Sequence, residues 1–269
     1  MAAPSPLVEL TDDLAARVLL CLRPRDVCCA ALCCKRLAAV CRDDARIWAP
    51  LCAAHWAAHT SPERWLAAGA AAAAAAAAVA GPSALPPAGA GGASFGEEDE
   101  EAGEAPPTTY RAVFATLRRL QPLIGMWRGP AGDQPAGSLF RVGWAAGGAG
   151  HVEVVALRGG RNVTEVVSET TARVGPAYPG VSIQQVDETA AAAAPRPRGP
   201  PPTRVVAVFP GQGRVAGTGF SNPTWIEGRL WVYDNGSIGF LWRGEFDFLL
   251  DMERMQMGPP PALGRGGTA

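Results

Sequence analysis

The 269 residues carry 24 Lys and Arg against 25 Asp and Glu, a net charge of −1, which excludes the strongly basic footprint of a nucleic-acid binder. The length allows one fair-sized domain plus a smaller module, and no stretch combines the length and side-chain bulk of a membrane span. Alanine inflates the 48% hydrophobic content, so the part that packs is smaller than the length suggests.

Met1-Ala-Ala-Pro-Ser-Pro6 has no basic region followed by an apolar one, so no secretory signal is expected. All seven cysteines lie between Cys21 and Cys52. An odd cluster confined to one helical stretch fits a reducing cytoplasm or nucleus. Asn162-Val163-Thr164 then reads as strand sequence and not as a glycosylation acceptor.

Residues 7–66 read as helical. Leu10, Leu14, Val18, Leu19 and Leu22 fall at helical spacing. Thr11 suits the N-cap, and Asp12 and Asp13 suit the positive end of the dipole. Pro24 is expected to end this helix. Asp26 is expected to cap a second one running through Leu32 to Val40. A third carries Ile47, Trp48, Leu51 and Cys52, and Ser61-Pro62-Glu63 opens a further turn.

Residues 67–106 are low complexity: an Ala tract (Ala70 to Ala78), Gly/Pro-rich sequence and an acidic run from Glu97 to Glu104. This composition predicts a disordered linker. Residues 107–121 predict one amphipathic helix, capped by Thr108 or Thr109. Tyr110, Val113, Phe114, Leu117 and Leu120 share one face, and Arg111, Arg118 and Arg119 lie off it.

From residue 123 to 254 the pattern is strands. Phe140, Val142 and Trp144 alternate with Leu139, Arg141 and Gly143, and Val152–Leu157 and Val163–Val167 follow. Val181–Val186, Arg204–Phe209 and Arg214–Phe220 come next, with Gly211-x-Gly213 as a turn and Ala190–Pro202 as a long loop. Asp234-Asn235-Gly236-Ser237 between Leu230–Tyr233 and Ile238–Trp242 predicts a hairpin with a type I′ turn. Eight to ten short strands with regular turns predict an antiparallel barrel or sandwich. Residues 255–269 read as a disordered tail.

The N-terminal helices are too short to enclose their own core and need a partner or a neighbouring domain to complete it. Leu10-Thr-Asp-Asp-Leu14, Val18-Leu19, Leu22-Arg-Pro-Arg-Asp-Val27, Leu32-Cys-Cys-Lys-Arg36 and Ile47-Trp48 resemble the F-box pattern. Thr11 and Arg23 stand where that pattern has Pro, Cys33 where it has Val, and Leu37 where it has Trp. Ala15 and Ala16 are smaller than usual there and would weaken docking. The resemblance covers about fifty residues. It implies docking on Skp1, and through it on cullin and RING subunits, by Leu10, Leu14, Val18, Leu22, Pro24, Val27, Leu32 and Trp48.

Gly125-Met126-Trp127, following a helix and preceding strands, resembles the Gly-x-Trp signature of lipocalin-like barrels. The whole order resembles plant-type F-box proteins, and their animal relatives, with such a barrel at the C-terminal side. The resemblance implies an α+β chain: an F-box helical module (7–66), a linker (67–106), a helix plus antiparallel β-barrel that recruits a client protein (107–254), and a tail. Trp127, Trp144, Arg141 and Trp225 are the candidate client or ligand contacts, with Trp225 expected in a loop at the barrel mouth. Arg158, Arg161, Arg173 and Arg243 are further sites for an acidic client segment.

Chemistry of other kinds is thin. Cys52, His55 and His59 are zinc-type ligands, but their spacing matches no common zinc module, and neither a metal nor another cofactor is expected. Cys28-Cys29 and Cys33-Cys34 read as small apolar packing residues. No nucleophile elbow and no acid–base carboxylate pair stands out. The expectation is a non-catalytic adaptor, with a small apolar-ligand carrier as the alternative.

Overall fold

The computed structural model describes residues 10–80, 106–129, 139–159, 166–176, 178, 204–215, 222–243 and 247–255. Helices form the first part and a closed antiparallel barrel of eight strands the second. The expected strand Val181–Val186, the Ala190–Pro202 loop, the acidic run and the tail after Gly258 lie outside the described residues.

Helix α1 (Asp12–Leu20) begins where Thr11 Oγ1 accepts the Leu14 amide at 3.5 Å. Pro24 does not merely stop α1. It occupies the first turn of α2 (Pro24–Ala30), where its missing N–H would have had no partner in any case. The expected single helix to Val40 is instead two. Helix α3 (Lys35–Arg42) starts afresh at Cys34, whose Sγ accepts the Leu37 amide at 3.4 Å. A π-helical turn (Asp44–Trp48) leads into α4 (Ala49–Trp56).

Helix α5 (Pro62–Ala80) overturns the expected linker boundary: its 19 residues run through the Ala tract. Alanine is the best intrinsic helix former, and Trp65, wholly buried, anchors the first turns. Gly69 is needed where α5 crosses the chain before the next helix. A Cβ there would stand 2.0 Å from the Pro107 carbonyl oxygen.

Helix α6 (Tyr110–Leu120) is capped by Thr109, whose hydroxyl accepts the Ala112 amide at 3.2 Å. Its apolar face is the expected one: Val113, Phe114, Leu117 and Leu120 are buried, and Arg111, Arg118 and Arg119 are exposed. Asp44 caps it a second time. Its two carboxylate oxygens accept the amides of Tyr110 (2.8 Å) and Arg111 (2.9 Å). The Phe114 ring meets the rings of Trp48, His55 and Trp56 edge-on at 5.7, 5.4 and 6.0 Å.

The strands are β1 (Gly125–Arg128), β2 (Leu139–Trp144), β3 (Val152–Gly159), β4 (Val166–Val174), β5 (Val205–Val215), β6 (Thr224–Tyr233), β7 (Ile238–Trp242) and β8 (Phe248–Arg254). Each pairs with the next, and β1 closes on β8 through Trp127↔Arg254 and Arg128↔Glu253. Trp127, Phe140, Leu230, Phe240 and Met252 meet in one buried cluster with the helices. Arg254 seals the base: its guanidinium lies 5.8 Å over Trp127 and donates to the carbonyls of Pro122 and Ile124.

Gly211-x-Gly213 is no turn. It lies inside β5, which runs unbroken where two strands were expected. The reason is close approach, a known use of glycine in strands: a Cβ on Gly213 would stand 2.0 Å from Trp242 Nε1 and 2.8 Å from the Phe240 ring. The Asp234–Ser237 hairpin forms as expected, with a different turn. Gly236 has φ +79°, while Asn235 stays at negative φ. Tyr233 pairs with Ser237 through the Tyr233 N–Ser237 O bond of 3.0 Å, which makes a three-residue loop ending in a left-handed glycine.

Two outcomes test the joint between helices and barrel. Asp44→Ala leaves two amides of α6 without their carboxylate, and is expected to cost about 1–2 kcal/mol, read as a lower urea midpoint. The Cys52 thiol donates to the Tyr110 carbonyl at 3.2 Å. Burial, reinforced by the negative charges of Asp44 and Glu63, pushes it from 9.0 to about 12. Because its folded pKa is raised, its contribution is complete below about pH 9 and is lost as the pH climbs towards 12, where only the unfolded chain ionises readily. Stability is expected to fall over that alkaline window, and to fall less in Cys52→Ala.

Candidate functional site

Two surfaces stand out. On the helical module, Leu14, Val18 and Leu22 succeed one another at helical spacing and are 46%, 43% and 39% exposed; Leu32 is 86% exposed. The opposite side of α1 carries Ala15, Ala16 and Leu19, all buried. The two alanines are therefore not weak docking residues: they let α1 approach the helices beneath it. Arg36 and Arg46 tie the start of α1 down by ion pairs of 3.0 Å to Asp12 and Asp13.

The eight residues singled out for this surface divide. Leu14, Val18, Leu22 and Leu32 are open to solvent, and Leu10 and Pro24 are half-buried. Val27 and Trp48 are a correction, since they are 0% and 3% exposed. Trp48 Nε1 donates to the Cys41 carbonyl at 2.9 Å, so its ring packs inward under α6. These two residues hold the frame on which the exposed stripe is displayed. The cysteines depart further from expectation. Cys41 and Cys52 are buried, while Cys21, Cys28, Cys29, Cys33 and Cys34 are exposed and free.

On the barrel the four singled-out residues do not converge. Trp127 is 1% exposed and closes the base. Trp144 packs against Trp56 (6.0 Å) and Trp65 (6.1 Å), joining β2 to the helices. Arg141 is exposed on β2, opposite Met126 and Val155. Trp225 is not in a loop at all. It belongs to β6, and Arg173 of β4 lies 4.2 Å over its half-buried ring.

That pair is the centre of a cluster on the outer face of β3, β4, β5 and β6. Ala172 and Val174 point into the core, so Arg173 points out, opposite Glu153 and Gln212. The Arg173 Nε is buried with no hydrogen-bond partner among the described residues. Tyr178 stands beside it. Burial pushes its phenol up, and the Arg173 charge and hydrogen bond pull partly against that. His151 meets Tyr178 at 6.0 Å between rings and lies 3.5 Å from Glu153. Close by, Arg214 is bonded to Glu169. A flat aromatic under a half-buried guanidinium, with a phenol alongside, offers the chemistry that an acidic or carboxylate-bearing group pairs with.

Sequence reasoning named Trp225 and Arg173 separately. Alternation within β4 marks Arg173 as outward-facing, but the register that sets it against Trp225 spans 52 positions of chain. Tyr178 and His151 carried no signal of their own. Among the described residues no three His, Cys, Asp or Glu side chains are placed to hold a metal ion. Cys52 is buried, and His55 and His59 lie exposed. No described helix is long and apolar enough to cross a membrane.

Comparison with known proteins adds two findings. Residues 110–257 match the family model described as the cyclin D1 binding domain, a span that opens at α6 and takes in every strand of the barrel. The chain is also 26% identical over 133 residues to the F-box protein At3g12350 of Arabidopsis thaliana, covering 49% of this chain and 22% of that protein. It thus spans about a fifth of the length of that curated relative.

Proposed function

Because the chain belongs to the cyclin D1 binding domain family, we propose that it is a substrate-recognition subunit of a Skp1–cullin–F-box ubiquitin ligase, with a D-type cyclin as the client of its barrel. The observation that carries the docking half is the exposure of Leu14, Val18, Leu22 and Leu32, all on the helical module. Large apolar residues left open on short helices are what a partner's groove covers. The likeness to a protein named as an F-box protein supports the same reading.

The client half rests on the family description and on the Arg173–Trp225–Tyr178 cluster. Among the described residues the inward-facing side chains of the barrel join one buried cluster, which favours a client on the outer face over a small ligand within. The packed joint at α6 then sets the distance between client and docked ligase. Catalysis by this chain is positioning: it raises the effective concentration of client lysines near a ubiquitin-charged enzyme, and the bond-making belongs to other subunits.

Purified chain is expected to bind Skp1, and Leu14→Asp/Leu32→Asp to weaken that binding by about 100-fold while leaving the melting curve in place. Val27→Ala is expected to lower stability instead, since that side chain is buried. A folded wild type that leaves Skp1 free in a pull-down overturns the adaptor reading. On the barrel, Arg173→Ala or Trp225→Ala is expected to weaken cyclin D1 binding by about tenfold with Skp1 binding unchanged. Undiminished titration of cyclin D1 against both variants would move the client to another part of the barrel.

A further inference from the structure

The docking face carries something a docking face does not need. Cysteine is among the most often buried residue types, yet five of the seven here are exposed, all on the helical module. Three of them bracket Leu32, the most exposed of the large apolar residues. Helix α2 continues as a turn to Cys33 through the bonds Ala31 N–Val27 O (3.1 Å), Leu32 N–Cys29 O (3.0 Å) and Cys33 N–Ala30 O (3.1 Å). At about 100° per residue, Cys28, Cys29, Leu32 and Cys33 fall on the side opposite Val27, which is wholly buried. Cys33 Sγ lies 3.7 Å from the Cys29 carbonyl oxygen, and all three thiols are free and exposed on the same turns as Leu32. Arg25 and Lys35 stand exposed on either side in sequence.

We propose that Cys28, Cys29 and Cys33 are a modification site for a small anionic disulfide of the oxidised-glutathione class, and that the adduct closes the Leu32 face to Skp1. The proposal rests on the docking reading above. A cysteine thiolate attacks one sulfur of the small disulfide. That S–S bond breaks, a new one joins the cysteine to half of the reagent, and the other half leaves as a thiolate that takes up the proton the cysteine gave. The small disulfide is the oxidant and is consumed; a reducing thiol reverses the step. The adduct sets a bulky charged group beside Leu32, where docking requires apolar contact. The basic residues that flank these cysteines in sequence, Arg25 and Lys35, favour an anionic reagent.

The test uses the full chain and oxidised glutathione as the probe. After exposure, peptide mass spectrometry is expected to place the adduct on Cys28, Cys29 or Cys33, and Skp1 affinity to fall by about tenfold or more. Dithiothreitol is expected to restore it. Cys28→Ser/Cys29→Ser/Cys33→Ser is expected to bind Skp1 equally well before and after treatment. An adduct confined to the other cysteines, or none, overturns the site. An adduct on these three with Skp1 affinity unchanged overturns the gating. If the reduced wild type does not bind Skp1 at all, the adaptor reading and the gating fall together, while the mass map still decides the modification site.

Discussion

Helix α6 is the member on which both halves of the molecule are hung, and its seat is electrostatic as well as apolar. Two amides at its start point at the carboxylate of Asp44, which belongs to the π-helical turn of the N-terminal module. A charged acceptor on free helix-terminal amides is among the stronger hydrogen bonds a protein makes. Four rings then continue the joint: Phe114 takes the edges of Trp48 and Trp56, and Trp56 takes Trp144 of the barrel. Capping fixes the axis of the helix, and ring-on-edge packing fixes its rotation. Without this joint the short N-terminal helices would have too little core of their own.

The same joint explains why the helical module can afford an exposed face. Val27, Ile47, Trp48, Leu51 and Trp56 spend their apolar surface inward, in one cluster with α6 and the barrel. Leu14, Val18, Leu22 and Leu32 are then left over, held in a fixed array by a frame that does not depend on them. The barrel treats its outer surface likewise. Among the described residues every strand pairs with a neighbour on each side, so the Arg173–Trp225 cluster stands on a closed wall of strands.

Much of this was legible in the sequence, and the failures share a physical reason. Local signals did well: the Thr11 cap, the amphipathic stripe of α6, the alternation of Phe140 and Val142 and the Asp234–Ser237 hairpin are all decided within a few residues. Contacts between distant segments were not legible. Gly213 reads as a turn until Trp242 is seen to lie across it. Trp225 reads as a loop residue until β5 supplies its partner strand and Arg173 its cover. Trp48 reads as a contact for a partner until α6 takes its place as that contact. The exposure of five cysteines was missed because their type predicts burial, and the exposed side of α2 is set by Val27 alone.

The second half of α5 has a different standing from every other helix. After the buried Ala72, residues 74–78 are exposed alanines, so the helix leaves the body of the protein and continues on backbone propensity alone. Each further alanine lengthens it by about 1.5 Å and turns it by about 100°, yet there is no side-chain register to spoil. The tract is therefore a place where residue number is almost invisible to the rest of the fold. An alanine added or lost here would leave the core untouched, so chain length in this stretch is free to vary while Gly69 and Trp65 remain pinned.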